Sequence, residues 1–167
     1  MHDHVDTVLS QWASQRPDLD VSAMGVVGRL SRAARLLERG VDVVLEEHDL
    51  GGGAFDILAT LRRSGPPYQL TPGALVRSSM VTSGAVTARL DRLVAKGLVT
   101  RETDPENRRS VLVTLTPQGR RLVDRAVEAH VANEEALLEG LSARERTQLA
   151  SLLRRLLVSL GDGDAGR

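Results

Sequence analysis

Residues 71–119 read TPGALVRSSMVTSGAVTARLDRLVAKGLVTRETDPENRRSVLVTLTPQG. Thr71-Pro72 is a helix start: a hydroxyl able to cap, followed by proline at the first helical position. A short helix through Ser78 reaches a tight turn at Ser79–Val81. Thr82 then caps a second helix that runs to Lys96 and stops at Gly97, a residue suited to the left-handed conformation. On that second helix Val86, Leu90, Leu93 and Val94 share one face, and Gly84, Thr87, Ala88, Asp91 and Ala95 lie opposite. Two helices joined by a turn of about three or four residues, the second with a small and polar outer face, form a helix-turn-helix pattern. Leu98–Thr103 and Ser110–Thr116 are rich in β-branched residues, and the Asp104–Arg109 loop between them carries turn formers and two arginines. This predicts a hairpin wing. Thr116-Pro117 starts the next helix.

Outward from this stretch the apolar spacing stays helical. Val5, Val8, Leu9 and Trp12 predict an amphipathic helix over 3–14, which Pro17 ends. A long pattern follows from Val21 through Met24, Val27, Leu30, Ala34, Leu37, Val41, Val44, Leu45 and His48, as far as Gly51-Gly52-Gly53. Phe55, Leu58, Ala59 and Leu61 predict a third helix, closed by Gly65-Pro66-Pro67. Beyond the wing, Leu122, Val123, Ala126, Val127, Leu137 and Leu138 continue a helix. Ser142-Ala143-Arg144-Glu145 is a capping box. The last helix carries Leu149, Leu152, Leu153, Leu156, Leu157 and Leu160, and residues 161–167 are expected to be a disordered tail.

The 167 residues fit a single domain, and aromatics are only 2% of them, so the core must be built from Leu, Val and Ala. That composition favours helices over a β-sandwich. With no Cys, disulfides and thiolate metal sites are excluded. No apolar run approaches the roughly 18 residues of a membrane span, and MHDHVDTVLS lacks a secretory pattern, so a cytoplasmic protein without a membrane partner is expected. Net charge is zero, yet unevenly divided. Residues 71–121 hold nine Lys/Arg against four Asp/Glu, while 1–70 hold seven against ten and 122–167 six against eight. A basic middle in a neutral chain points to a local anion-facing surface, and nucleic acid is the commonest large anion.

No phosphate loop, nucleophile elbow or His-Glu-x-x-His is present, and the triple glycine follows a helix where a phosphate loop would follow a strand. An enzyme is therefore not expected, nor a cofactor. His2, His4, His48 and His130 do not form a metal-ligand cluster by spacing.

The order helix-turn-helix, then Arg89-Leu-Asp-Arg-Leu-Val-Ala-Lys-Gly-Leu-Val99, then a wing with Asp-Pro-x-x-Arg-Arg, then Leu-Thr-Pro-x-Gly, resembles the MarR family of winged-helix regulators. The resemblance covers residues from about 21 to 160. It implies a mainly α fold with a small β-hairpin wing and an obligate homodimer. Residues 1–50 and 117–160 would make the helical dimerisation region, and 53–116 the DNA-binding region. The implied partner is double-stranded DNA with an inverted-repeat operator. The implied DNA contacts are Thr82, Ser83, Gly84, Thr87, Ala88, Arg89, Asp91 and Arg92 on the reading helix, with Arg108 and Arg109 in the wing. One departure stands in the wing: Asn107-Arg108-Arg109 replaces the usual Asp-x-Arg, so Asn107 can accept a hydrogen bond from Arg109 but not pair with it as an ion.

A narrower resemblance is to the PecS-like, urate-responsive branch. It implies a ligand site of Trp12, Asp56, Arg77 and Arg89 for urate or a related purine or aromatic anion. An aromatic wall and guanidinium groups suit a flat anionic purine. The expectation is a repressor released by that ligand. Two alternatives stay open: a regulator of this kind answering to a different small molecule or a metal, and a helical dimer acting through protein contacts.

Overall fold

The computed structural model describes residues 2–80 and 86–162. Two helices open the chain, α1 (His4–Gln15) and α2 (Ser22–Glu46). Asp3 caps α1 and forms a reciprocal box with Asp6. Arg29 of α2 then donates to both carboxylates, at 2.8 Å to Asp3 and 2.6 Å to Asp6. The two helices run antiparallel, with Val5 facing Gly28 and Leu9 facing Gly25.

A winged helix follows: α3 (Gly52–Arg63), β1 (Gln69–Leu70), α4 (Pro72–Ser78), α5 (Val86–Ala95), β2 (Val99–Thr103) and β3 (Val111–Leu115). Its local signals act as their chemistry dictates. Thr71 Oγ1 accepts from the Ala74 N–H at 3.2 Å, and Gly97 ends α5 at φ +67°. The sheet is antiparallel in the order β1-β3-β2, with Gln69 opposite Thr114 and Thr100 opposite Thr114 on the other side. The hairpin wing is β2 and β3, as the sequence predicts, and the sheet gains a third strand, β1. β1 is only two residues long, and its pairing with β3 alone defines it.

The core joins Leu45 and Leu50 to Ile57, Leu58 and Leu61 of α3, Leu75 of α4, Leu90 and Leu93 of α5, and Val99 and Val113 of the sheet. Burying each such side chain contributes about 1.5–3 kcal/mol. Helix α6 (Pro117–Leu137) closes this core with Val123 and Ala126. Thr116 caps it, and the third residue along, Gly119, lies so close to the Leu98 carbonyl that a side chain would overlap that oxygen. On the outer side, the Tyr68 ring has Arg62 at 5.3 Å and Arg120 at 5.4 Å, while Arg62 Nε donates to Asp124 at 2.7 Å. These contacts fasten α3, β1 and α6 together.

Helix α7 (Ala143–Ser159) starts at the expected capping box, Ser142 N donating to Glu145 at 2.8 Å. No residue of α7 is buried in the single chain. Leu149, Leu152, Leu156, Leu157 and Leu160 are all exposed.

Candidate functional site

Helix α5 divides along its length as an amphipathic helix should. Val86, Leu90 and Leu93 are buried, whereas Thr87, Ala88, Asp91 and Arg92 face solvent. Val94, placed by spacing on the apolar face, is exposed. The expected contacts Thr82, Ser83 and Gly84, and the expected cap by Thr82, lie outside the described residues.

Two ion pairs fix α5 in the domain. Arg101 Nη1 of β2 pairs with Asp91 at 2.5 Å, tying the reading helix to the root of the wing. Lys96 Nζ donates to the Asp49 carbonyl at 3.0 Å and to its carboxylate at 2.7 Å, tying the other end to the junction between α2 and α3. Asp91 is thus engaged within the protein, although still largely exposed. In the wing loop, Glu106 N donates to the Asp104 carboxylate at 2.9 Å and Arg109 N to Asn107 Oδ1 at 3.2 Å. Asn107 accepts from the Arg109 backbone, and the Arg108 and Arg109 side chains remain exposed.

The residues expected around a ligand are distributed differently. Asp56 is well shielded; its Oδ2 accepts the Met80 N–H at 2.7 Å, and Arg63 Nη1 lies 3.8 Å from its Oδ1. Arg63 also donates to the Ser78 carbonyl. An acid and a base two turns apart on α3 therefore hold both ends of the segment that leaves α4. The sequence reading missed Arg63; the seven-residue spacing, which puts it on the same face as Asp56, was the available signal. Arg77 is exposed and lies back over its own helix, Nη1 being 3.5 Å from where a Cβ on Gly73 would sit.

Arg89 rests on Gly53, one turn before Asp56. It lines a cleft of about 440 Å³ with Glu46, Asp49, Gly52, Arg92 and Lys96. Trp12 is half-exposed and remote. Helix α1 packs near Gly25 and Gly28, whereas the start of α3 sits beside Asp42, about 25 Å further along α2 at 1.5 Å per residue. Within one chain Asp56 pairs with Arg63, Arg89 rests on Gly53 one turn earlier on α3 and Arg77 lies over Gly73 of α4, while Trp12 is remote.

The profile of the MarR family matches residues 48–110. The chain is 43% identical to the HTH-type transcriptional regulator PecS of Dickeya dadantii, over 91% of this chain and 92% of that protein. It belongs to the MarR family. The multiple antibiotic resistance protein MarR of Salmonella typhimurium is 31% identical over 72% of this chain and 82% of its own length. A mutant of Escherichia coli MarR solved in complex with operator DNA superposes with a TM-score of 0.71 at 28% identity, covering 87% of this chain and 97% of that one. BpsR of Bordetella bronchiseptica, solved to explain regulation of its DNA binding by 6-hydroxynicotinic acid, superposes at 0.72 and 29% identity, covering 83% and 94%.

This MarR-family protein is a transcriptional regulator of the MarR and PecS type that binds operator DNA. Its relatives are DNA-binding regulators, not enzymes. Among the described residues no helix is long and apolar enough to cross a membrane. The MarR-family helix-turn-helix is the pair α4 and α5, with the β2–β3 hairpin as its wing.

Proposed function

We propose that the protein is a homodimeric repressor that binds an inverted-repeat operator and is released by a flat, anionic aromatic ligand, with urate as the first choice. The observation carrying this reading is the Asp56–Arg63 pair gripping the segment after α4 through the Ser78 carbonyl and the Met80 N–H. An anion entering there competes with Asp56 for the guanidinium and repels the carboxylate, so the link between α3 and the approach to α5 is the one it breaks. Arg89, one turn away and on the reading helix, supplies a second guanidinium. The likeness to PecS, and to BpsR, whose DNA binding is regulated by 6-hydroxynicotinic acid, supports a ligand of this class.

Residues 1–50 and 117–160 make the dimerisation region in this reading, and 53–116 the DNA-binding region. The exposed α7 leucines support it, as does an apolar groove of about 560 Å³ between α1 and α2, lined by Val5, Val8, Leu9, Met24 and Val27. Each is too apolar to stay wet. Trp12 contributes to the ligand site only if a second copy delivers it across the two-fold axis. The DNA contacts are Thr82, Ser83, Gly84, Thr87, Ala88, Arg89 and Arg92, with Arg108 and Arg109 from the wing. Asp91 assists by holding Arg101.

The test is a urate titration of the operator-bound dimer, read by gel shift and by emission of the sole tryptophan. Xanthine, hypoxanthine and 6-hydroxynicotinic acid run beside it in a thermal-shift screen. Urate should weaken operator binding, and Asp56→Asn and Arg63→Ala should blunt that response. If no ligand changes either affinity or melting, the effector assignment falls. A footprint showing a single half-site would overturn the dimer.

A further inference from the structure

The run Gly51-Gly52-Gly53 looks uniform in sequence, yet its three members stand in different surroundings. A Cβ on Gly51 would meet nothing within 4 Å, and one on Gly52 would meet only the tip of the Asp42 carboxylate at 3.3 Å. On Gly53 it would overlap the guanidinium carbon and Nε of Arg89 and come within 2.9 Å of Nη1. The overlapped atoms belong to the far end of a flexible side chain, not to backbone. A methyl group there displaces Arg89 and leaves α3 where it is.

We propose that Gly53 is a positioning residue for operator recognition: its bare Cα is the seat that holds the Arg89 guanidinium against the first turn of α3. The inference rests on the reading of α5 as the DNA-reading helix. Arg89 leaves α5 beside Leu90, which is fully buried, and next to Ala88, which faces solvent. Its direction is therefore set by what it rests on, and the bare Cα of Gly53 lets the planar group lie directly against α3. A fixed guanidinium presents its donors in one orientation, which discriminates among base edges and phosphate positions. An unseated one keeps its charge and so keeps its attraction for any duplex, while the geometry that specifies sequence is lost. Gly53 thereby controls specificity more than affinity.

The experiment compares Gly53→Ala with the wild-type dimer on two duplexes, one selected by the wild-type protein from a random pool and one of scrambled sequence. The affinity ratio between them should fall about tenfold, the order of one lost bidentate contact, with scrambled-duplex affinity retained. The melting temperature should hold or rise, because alanine is the better helix former. Gly52→Ala should leave the ratio alone. On an Arg89→Ala background, Gly53→Ala should have no further effect, an epistasis that a general disturbance of α3 would not produce. An unchanged ratio in Gly53→Ala, with a loss in Arg89→Ala, overturns the seat and leaves the reading of α5 standing. The same loss on both backgrounds also overturns it. If Arg89→Ala itself costs nothing, the seat falls together with the reading beneath it.

Discussion

Replacing Gly119 by alanine sets two effects against each other, and the structure decides between them. Alanine is favoured over glycine within a helix by about 1 kcal/mol, so on propensity alone Gly119→Ala should stabilise α6. The new Cβ, however, would overlap the Leu98 carbonyl oxygen and sit 3.0 Å from Leu115 Cδ1. A backbone oxygen within the wing root cannot swing aside as a side-chain tip can. The start of α6 must retreat by roughly 1 Å to restore van der Waals distances. Such overpacking costs about 2 kcal/mol. Retreat also pulls the Gly119 N–H from Thr116 Oγ1, now at 3.0 Å, and that hydroxyl from the Gly97 carbonyl at 2.8 Å; a lost cap adds about 1 kcal/mol. The net is a destabilisation of about 2 kcal/mol. For a chain of this size that lowers the melting temperature by roughly 4–8 °C. Thermal denaturation followed by circular dichroism, at one fixed protein concentration, measures it. Gly140→Ala is the control, since a Cβ there meets nothing within 4 Å. A Gly119→Ala protein that melts at or above the wild-type temperature would refute the reasoning.

Leu157 of α7 is 47% exposed in the single chain. Leu157→Arg forfeits about 1 kcal/mol of burial per copy and places an unpaired charge in the interface twice over. The dimer should weaken about 100-fold, and light scattering that finds it intact at micromolar concentration would contradict the proposed two-fold contact. Acid should release α1 from α2. The Arg29 guanidinium, aided by backbone N–H donors, holds Asp3 down at about 2, and the Asp3 backbone N–H and Arg29 lower Asp6. Carboxylates depressed on folding stabilise the docked state above their unfolded value near 3.8, and that contribution fades as pH falls toward about 2. Trp12 emission should shift within that window in the wild type and show a much smaller change in Arg29→Met.

What the sequence disclosed was local. Thr71, Ser142 and Gly97 work through atoms within a few residues of themselves, as does the cap that Thr116 gives Gly119. The bonds from the Thr116 hydroxyl to the Gly97 and Leu98 carbonyls are long-range, and no local pattern announces them. β1 escaped notice because two residues carry no period; only β3, more than forty residues away, makes Gln69–Leu70 a strand. Lys96 and Asp49 are 47 positions apart, so no spacing rule joins them. Asp91 illustrates a different limit. Its position on the outer face was legible, its engagement by Arg101 was not, because a helix pattern says which way a side chain points and nothing about what waits there. The ligand set shows the same boundary: the resemblance names Arg77 and not Arg63, and it is Arg63 that stands beside Asp56 in the structure.

The tie between Lys96 and Asp49 has a mechanical consequence. Helix α2, with 25 residues, is a rod about 37 Å long. The carboxylates of α1 grip it within its first third, through Arg29, and the α5 anchor at Asp49 sits just past its far end, about 30 Å on. A tilt of about 5° at the gripped end sweeps the far end through about 3 Å, close to the 3.4 Å rise between successive bases. A small tilt of α2 would thus be felt as a displacement of the anchor that moors the reading helix.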